Sequence, residues 1–271
     1  MIHFLTSHSL WLSATLVVFL PTLLAAFGPS LVRRYVKLDR LVTNNEIAGF
    51  KFATIGVLYA VLIAFAVIVV WEKFSDAEAH VTAEAAGAAT IYRLSGGLDP
   101  QSAAALRAGI SNYLTVAIER DWPAMEAGLT DQYPATRMAL DSIYATLLSF
   151  QPSGPRETAL LPEILRQLDA ITLARNARLL AADGIVPSVI WPVLFGGAVI
   201  TIVFTFFFGT RNLRAQTAMT VLLSLLIFSE LLIIIAVDYP FSGPIRVEPS
   251  VFGRVLAEFG PAPAPASRPA K

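Results

Sequence analysis

Four long apolar runs dominate the chain, and the charged residues gather between them. The runs cover residues 10–27, 52–71, 185–208 and 217–237. A helix advances about 1.5 Å per residue, so crossing about 30 Å of hydrocarbon takes about 20 apolar residues. The first three runs carry no charge, and the fourth carries one, Glu230. Each run is expected to cross a bilayer once, in two hairpins.

Residues 72–185 follow a different rule: apolar residues recur at spacings of three and four, the mark of amphipathic helices. Phe74, Ala77, Val81, Ala88 and Ile91 carry the second helix beyond its membrane run, and no proline interrupts before Ser95-Gly96-Gly97. Asp99-Pro100 supplies an N-cap and a proline at the first helical position. Leu106, Ile110, Tyr113 and Ala117 then share a face that ends near Trp122-Pro123. A further helix is expected from Pro134, with Leu140, Ile143, Leu147 and Phe150 on one side. After the loop Gln151-Pro152-Ser153-Gly154-Pro155, Leu161, Ile164, Leu168 and Ile171 mark the last helix, with Asp183-Gly184 as its C-terminal cap. No strand-like alternation occurs.

The expected fold is all-α: four transmembrane helices with a helical soluble domain inserted between the second and third. Residues 1–71 form the first membrane hairpin, 72–185 the soluble domain, 186–240 the second hairpin, and 241–271 a C-terminal segment. That segment ends in a Pro-Ala tail whose composition predicts disorder.

Composition sharpens this picture. The chain is 55% hydrophobic and 15% charged, with mean hydropathy +0.63. Its 20 basic and 20 acidic residues balance, so it lacks the basic excess that neutralises nucleic-acid phosphates. Without cysteine it has no disulfide, thiolate nucleophile or cysteine metal site. The first run lacks the basic residues that precede a signal-peptide core, so it is expected to be a retained anchor. Arg33, Arg34, Lys37, Arg40 and Lys51 follow it, and Arg211 and Arg214 lie between the last two runs. Both loops are expected in the cytoplasm, with the soluble domain outside.

Catalytic chemistry is scarce. His3, His8 and His80 have no partner at metal-ligand spacing, and neither a phosphate loop nor a nucleophile elbow occurs. Glu72, Asp76, Glu78 and Glu84 are expected on a solvated helical face. The chain is expected to be neither an enzyme nor a holder of metal or cofactor. Glu230 is the main polar feature of the membrane runs, as an ion or proton pathway or as a packing residue. Gly49, Ala53, Gly56, Ala60 and Ala64 make a small-residue stripe for helix packing or subunit contact, and Gly56 and Ala60 are also candidate pathway residues. Gly197, Thr201 and Thr205 make a second stripe whose hydroxyls are further pathway candidates. Asp238 is expected to act as a cap or interfacial residue.

Three motifs together resemble a bacterial family of four-helix membrane proteins described as bestrophin-like. They are Asn44-Asn45-Glu46-Ile47-Ala48-Gly49-Phe50 before the second run, Trp71-Glu72 and Glu84 beyond it, and Asp238-Tyr239-Pro240-Phe241-Ser242-Gly243 after the fourth. The resemblance implies a homo-oligomer, pentameric by analogy with bestrophins, in a bacterial inner membrane, with the second helix lining an ion pore. It also implies a cytoplasmic soluble domain, opposite to the orientation read from the basic loops. The leading expectation is a homo-oligomeric ion channel or permeation protein. The alternative is a non-transporting envelope sensor or assembly protein whose helical domain binds a protein partner.

Overall fold

Helices fill the computed structural model, and no strand occurs among the described residues, 10–129, 134–243 and 245–260. His3, His8 and the Pro-Ala tail from Pro261 lie outside them. Ten helices are labelled here: α1 (Trp11–Tyr35), α2 (Leu38–Thr43), α3 (Asn45–Ser95), α4 (Pro100–Val116), α5 (Trp122–Glu126), α6 (Pro134–Ser149), α7 (Pro155–Leu180), α8 (Ile190–Thr205), α9 (Leu213–Val237) and α10 (Ser250–Glu258).

Three helices, α1, α3 and α9, are long and apolar enough to cross a membrane. The third apolar run yields a shorter helix than expected, the 16 residues of α8. Pro187 lacks a backbone N–H, and the chain turns there, with Ile190 N donating to Pro187 O at 2.9 Å. Phe206–Phe208 close the other end in turns. Inside α1 the turn Thr15–Phe19 is π-helical. Pro21 follows, and its ring removes an N–H and crowds the carbonyl four residues back.

The chain divides into two compact units, Met1–Phe74 with Gly184–Arg246, and Ser75–Asp183 with Val247–Lys271. Within the first, α1 packs along α9 and both touch α8. Gly28 makes one close approach possible, because a Cβ there would stand 2.3 Å from the Phe206 ring.

The second unit holds the rest of α3, then α4 to α7 and α10. Its core is the expected set of stripes: Val81, Ala88 and Ile91 of α3, Leu106, Ile110 and Tyr113 of α4, Ile143 of α6, and Ile164, Leu168 and Ile171 of α7, each at most 1% exposed. Asp99 caps α4 as the sequence predicts, accepting from Gln101 N at 3.0 Å and Ser102 N at 3.1 Å. A π-helical turn, Ala117–Asp121, leads from α4 to α5 and buries Asp121 and Trp122 together. The expected cap at Asp183-Gly184 is corrected: α7 ends at Leu180, and Gly184 is not among the positive-φ glycines. Gly184 belongs to the first unit, where a Cβ would stand 2.8 Å from the Tyr239 ring.

Candidate functional site

Two faces of α3 differ in the membrane unit. One carries Tyr59, 7% exposed, whose hydroxyl donates to Leu194 O at 2.9 Å. Its ring fills the space left by Gly197, where a Cβ would meet it at 2.5 Å. Beside this contact lies an apolar groove of about 370 Å³, lined in part by Ile55, Leu58, Pro192, Gly196 and Thr201. The other face carries the small-residue stripe. Gly56 has nothing within 4 Å of a built Cβ, and Gly49 only Phe208 at 4.0 Å. Ala53, Ala60 and Ala64 are exposed. From Ala53 to Ala64 the stripe therefore does not pack against the described residues of the chain. Only 17% of the most apolar stretch of α3 is buried, against 50% for α9.

Glu230 lies on α9, half-buried, within electrostatic range of Tyr59. Among the described residues its carboxylate has no hydrogen bond or ion pair. The threonines are placed differently. Thr201 donates to Gly197 O at 2.8 Å and Thr205 to Ile202 O at 2.6 Å, each satisfied by its own helix. Thr205 also meets Thr220 Oγ1 at 3.3 Å.

The family motifs bind chain segments together. Asn45 holds Gly209 from both sides, its Nδ2 donating to Gly209 O at 2.6 Å and its Oδ1 accepting from Gly209 N at 2.8 Å. Arg33 donates to Thr210 O and, at 2.8 Å, to Gln216 Oε1. The end of α1 and the start of α3 are thereby joined to the turn between α8 and α9. Glu46 and Trp71 are exposed. Beyond α9, Asp238 accepts from Val186 N at 2.7 Å. Pro240 and Phe241 are buried, and Gly243 turns the chain at φ 86°.

The densest polar cluster lies in the second unit, and it corrects the expectation for Glu84. That residue is fully buried, not solvated. Arg178, also at 0% exposure, donates through Nε to Glu84 Oε2 at 2.8 Å and through Nη2 to Asp121 Oδ2 at 3.0 Å. Tyr113 donates to Glu84 Oε1 at 2.5 Å. Thr136 contacts both Asp121 oxygens at 3.0 Å, and Arg175 donates to Thr136 Oγ1 at 2.8 Å. The guanidinium of Arg178 also stands 4.7 Å from the Trp122 ring centroid. Burial alone would lower the pKa of Arg178, but Glu84 and Asp121 outweigh it and hold the guanidinium protonated. Burial and Glu84 push the Tyr113 phenol well above its ordinary range. With every member partnered, the cluster is a clasp that joins α3, α4, α5, α6 and α7. The sequence did hold a signal. Glu84 falls in the stripe Ala77, Val81, Ala88, Ile91, and Arg175 and Arg178 extend Ile164, Leu168, Ile171 at spacings of four and three.

A family model for the bestrophin-like domain matches residues 9–252. A solved crystal structure of a membrane protein variant is similar at TM-score 0.69 and 11% identity, covering 90% of this chain and 99% of that one. At that identity it shows a shared fold alone. No curated protein matches the chain.

Proposed function

The chain belongs to the bestrophin-like family, and from that membership we propose that this membrane protein is a homo-oligomeric ion channel or permeation protein. One observation carries the reading: the most apolar stretch of α3, with the small-residue stripe, is left largely uncovered by the described residues of its own chain. Small residues let backbones approach closely, and in lipid such contacts come from packing and hydrogen bonds rather than from the hydrophobic effect. We assign that face to neighbouring copies, with α8 completing a fourth span and Gly56 and Ala60 beside the conduit.

Glu230 supports the same reading. An ionisable group in a membrane span needs protein, water or a partner charge, and among the described residues no hydrogen bond or ion pair reaches this one. A water-filled path between subunits would supply the missing solvation. Thr201 and Thr205 would contribute oxygen lone pairs as acceptors, since the hydrogens of both hydroxyls already go to backbone carbonyls.

Flux through reconstituted liposomes tests this. Wild-type protein should pass small ions, and Glu230→Gln, which keeps shape and hydrogen-bonding capacity, should change the flux while thermal stability stays within about 1 kcal/mol. Unaltered flux in Glu230→Gln would remove Glu230 from the path. Wild-type protein with no flux for any ion tested, at verified insertion, would overturn the channel reading.

A further inference from the structure

Helix α4 carries a single charged residue, Arg107, in an alanine-rich sequence. Its setting is built rather than incidental. Nε donates to Ser95 Oγ at 2.9 Å, and Ser95 Oγ in turn donates to Tyr92 O at 2.7 Å. The guanidinium carbon lies 4.9 Å from the Tyr92 ring centroid. Tyr92 is itself fixed: it stacks on Phe259 at 3.8 Å between centroids and donates to Phe259 O at 2.7 Å. Gly96 leaves room, because a Cβ there would stand 3.1 Å from Arg107 Nη2. The guanidinium plane is therefore held from one edge, while the terminal nitrogens meet no carboxylate among the described residues.

Arg107, Tyr92, Gly96 and Phe259 border a cavity of about 940 Å³, lined among others by Pro100, Ala104, Ala108, Ser111 and Leu256. The size is that of a small-molecule site. Among the described residues no acidic side chain lines it. The nearby Glu258 is directed to Arg93, at 3.5 Å. A fixed, uncompensated guanidinium at the edge of an otherwise apolar cavity calls for an anion whose body is apolar. Its planar fork matches a carboxylate.

We propose that this cavity binds a small carboxylate with an apolar or aromatic body, the carboxylate on the terminal nitrogens of Arg107 and the body against the alanine face of α4 and Phe259. Bridged by the ligand, α4 and α10 would be held together. Every described residue of the site belongs to the second unit.

Fluorine NMR on the full chain in nanodiscs tests the proposal, with 4-fluorophenylacetate as probe and the neutral 4-fluorophenylacetamide as control. The acid should bind at least about 10-fold more tightly than the amide, the difference that a charge-assisted pair supplies. Arg107→Gln should remove that difference, and Ala104→Phe, which fills the cavity, should weaken both ligands. Equal binding of acid and amide overturns the proposal, as does undiminished acid binding in Arg107→Gln or in Ala104→Phe. No binding of either probe at millimolar concentration overturns it too. So does binding seen only in a chain ended at Gly260, because the tail from Pro261 would then be the natural occupant.

Discussion

Arg178 is the buried cation on which two carboxylates depend, and that makes its contribution measurable. Arg178→Met would leave Glu84 and Asp121 buried without it, at a cost of about 3–5 kcal/mol. Glu84→Gln leaves Arg178 its contact with Asp121, so it should cost less. Denaturant unfolding of both variants, followed by helical circular dichroism, checks the order. Asp238 gives a pH-dependent case just past the end of α9. Burial pushes its carboxyl up to about 6, against the opposing hydrogen bond from Val186 N. A folded pKa above the unfolded one means that the folded state holds the proton more tightly. Stability from this group is therefore full at low pH and is lost as pH rises from about 4 through about 6. Asp238→Asn keeps an acceptor for Val186 N without the charge. Its melting temperature should exceed that of wild type at pH 7.5, and the gap should close by pH 4.5. A gap that widens on acidification would contradict this. At this scale the sequence spoke through side-chain spacing. Glu84, Arg175 and Arg178 stood in apolar stripes, but an ionisable residue there is read as solvated until its partners on other helices are known.

Among elements, α3 and α8 show what period and composition can specify. The spacing of apolar residues located α3, α4, α6 and α7 in the second unit, because each buries one stripe in a shared core, but it did not mark the short helices α5 and α10. It did not fix the length of α8, where Pro187 outweighs hydropathy. Nor did it separate the two faces of α3, since a span in lipid is apolar all round and its pattern marks no preferred side. The separation came from Tyr59 meeting Gly197, a contact between residues far apart in sequence. Two substitutions exploit it. Gly197→Val forces a collision with the Tyr59 ring and should destabilise by about 1–3 kcal/mol, read as a lower melting temperature in detergent. A Cβ at Gly56 has no described atom within 4 Å, so Gly56→Leu should hold monomer stability while the assembled mass falls in native mass spectrometry. Unchanged mass in Gly56→Leu would take the stripe out of the subunit interface.

For the whole molecule, orientation is the property on which the basic loops and the family resemblance disagree. The structure adds one constraint: Arg33 and Asn45 are hydrogen-bonded to the turn at Gly209–Thr210, so both basic loops lie at one end of the membrane unit. They are expected to face the same compartment. Lys/Arg density sets orientation when loops are short, and both loops are short. Arg34, Lys37, Arg40, Lys51, Arg211 and Arg214 remain exposed there. That density favours the cytoplasm for these loops and the outside for α4 to α7. The absence of native cysteine makes the test clean. Asp39→Cys in α2 and Ser142→Cys in α6 both place a thiol at an exposed position. On intact cells a membrane-impermeant maleimide should label Ser142→Cys and spare Asp39→Cys until the membrane is opened. The reverse pattern would place the helical domain in the cytoplasm, as in bestrophins, and the basic loops would then have been overruled by the long translocation-indifferent insert that lies between the hairpins.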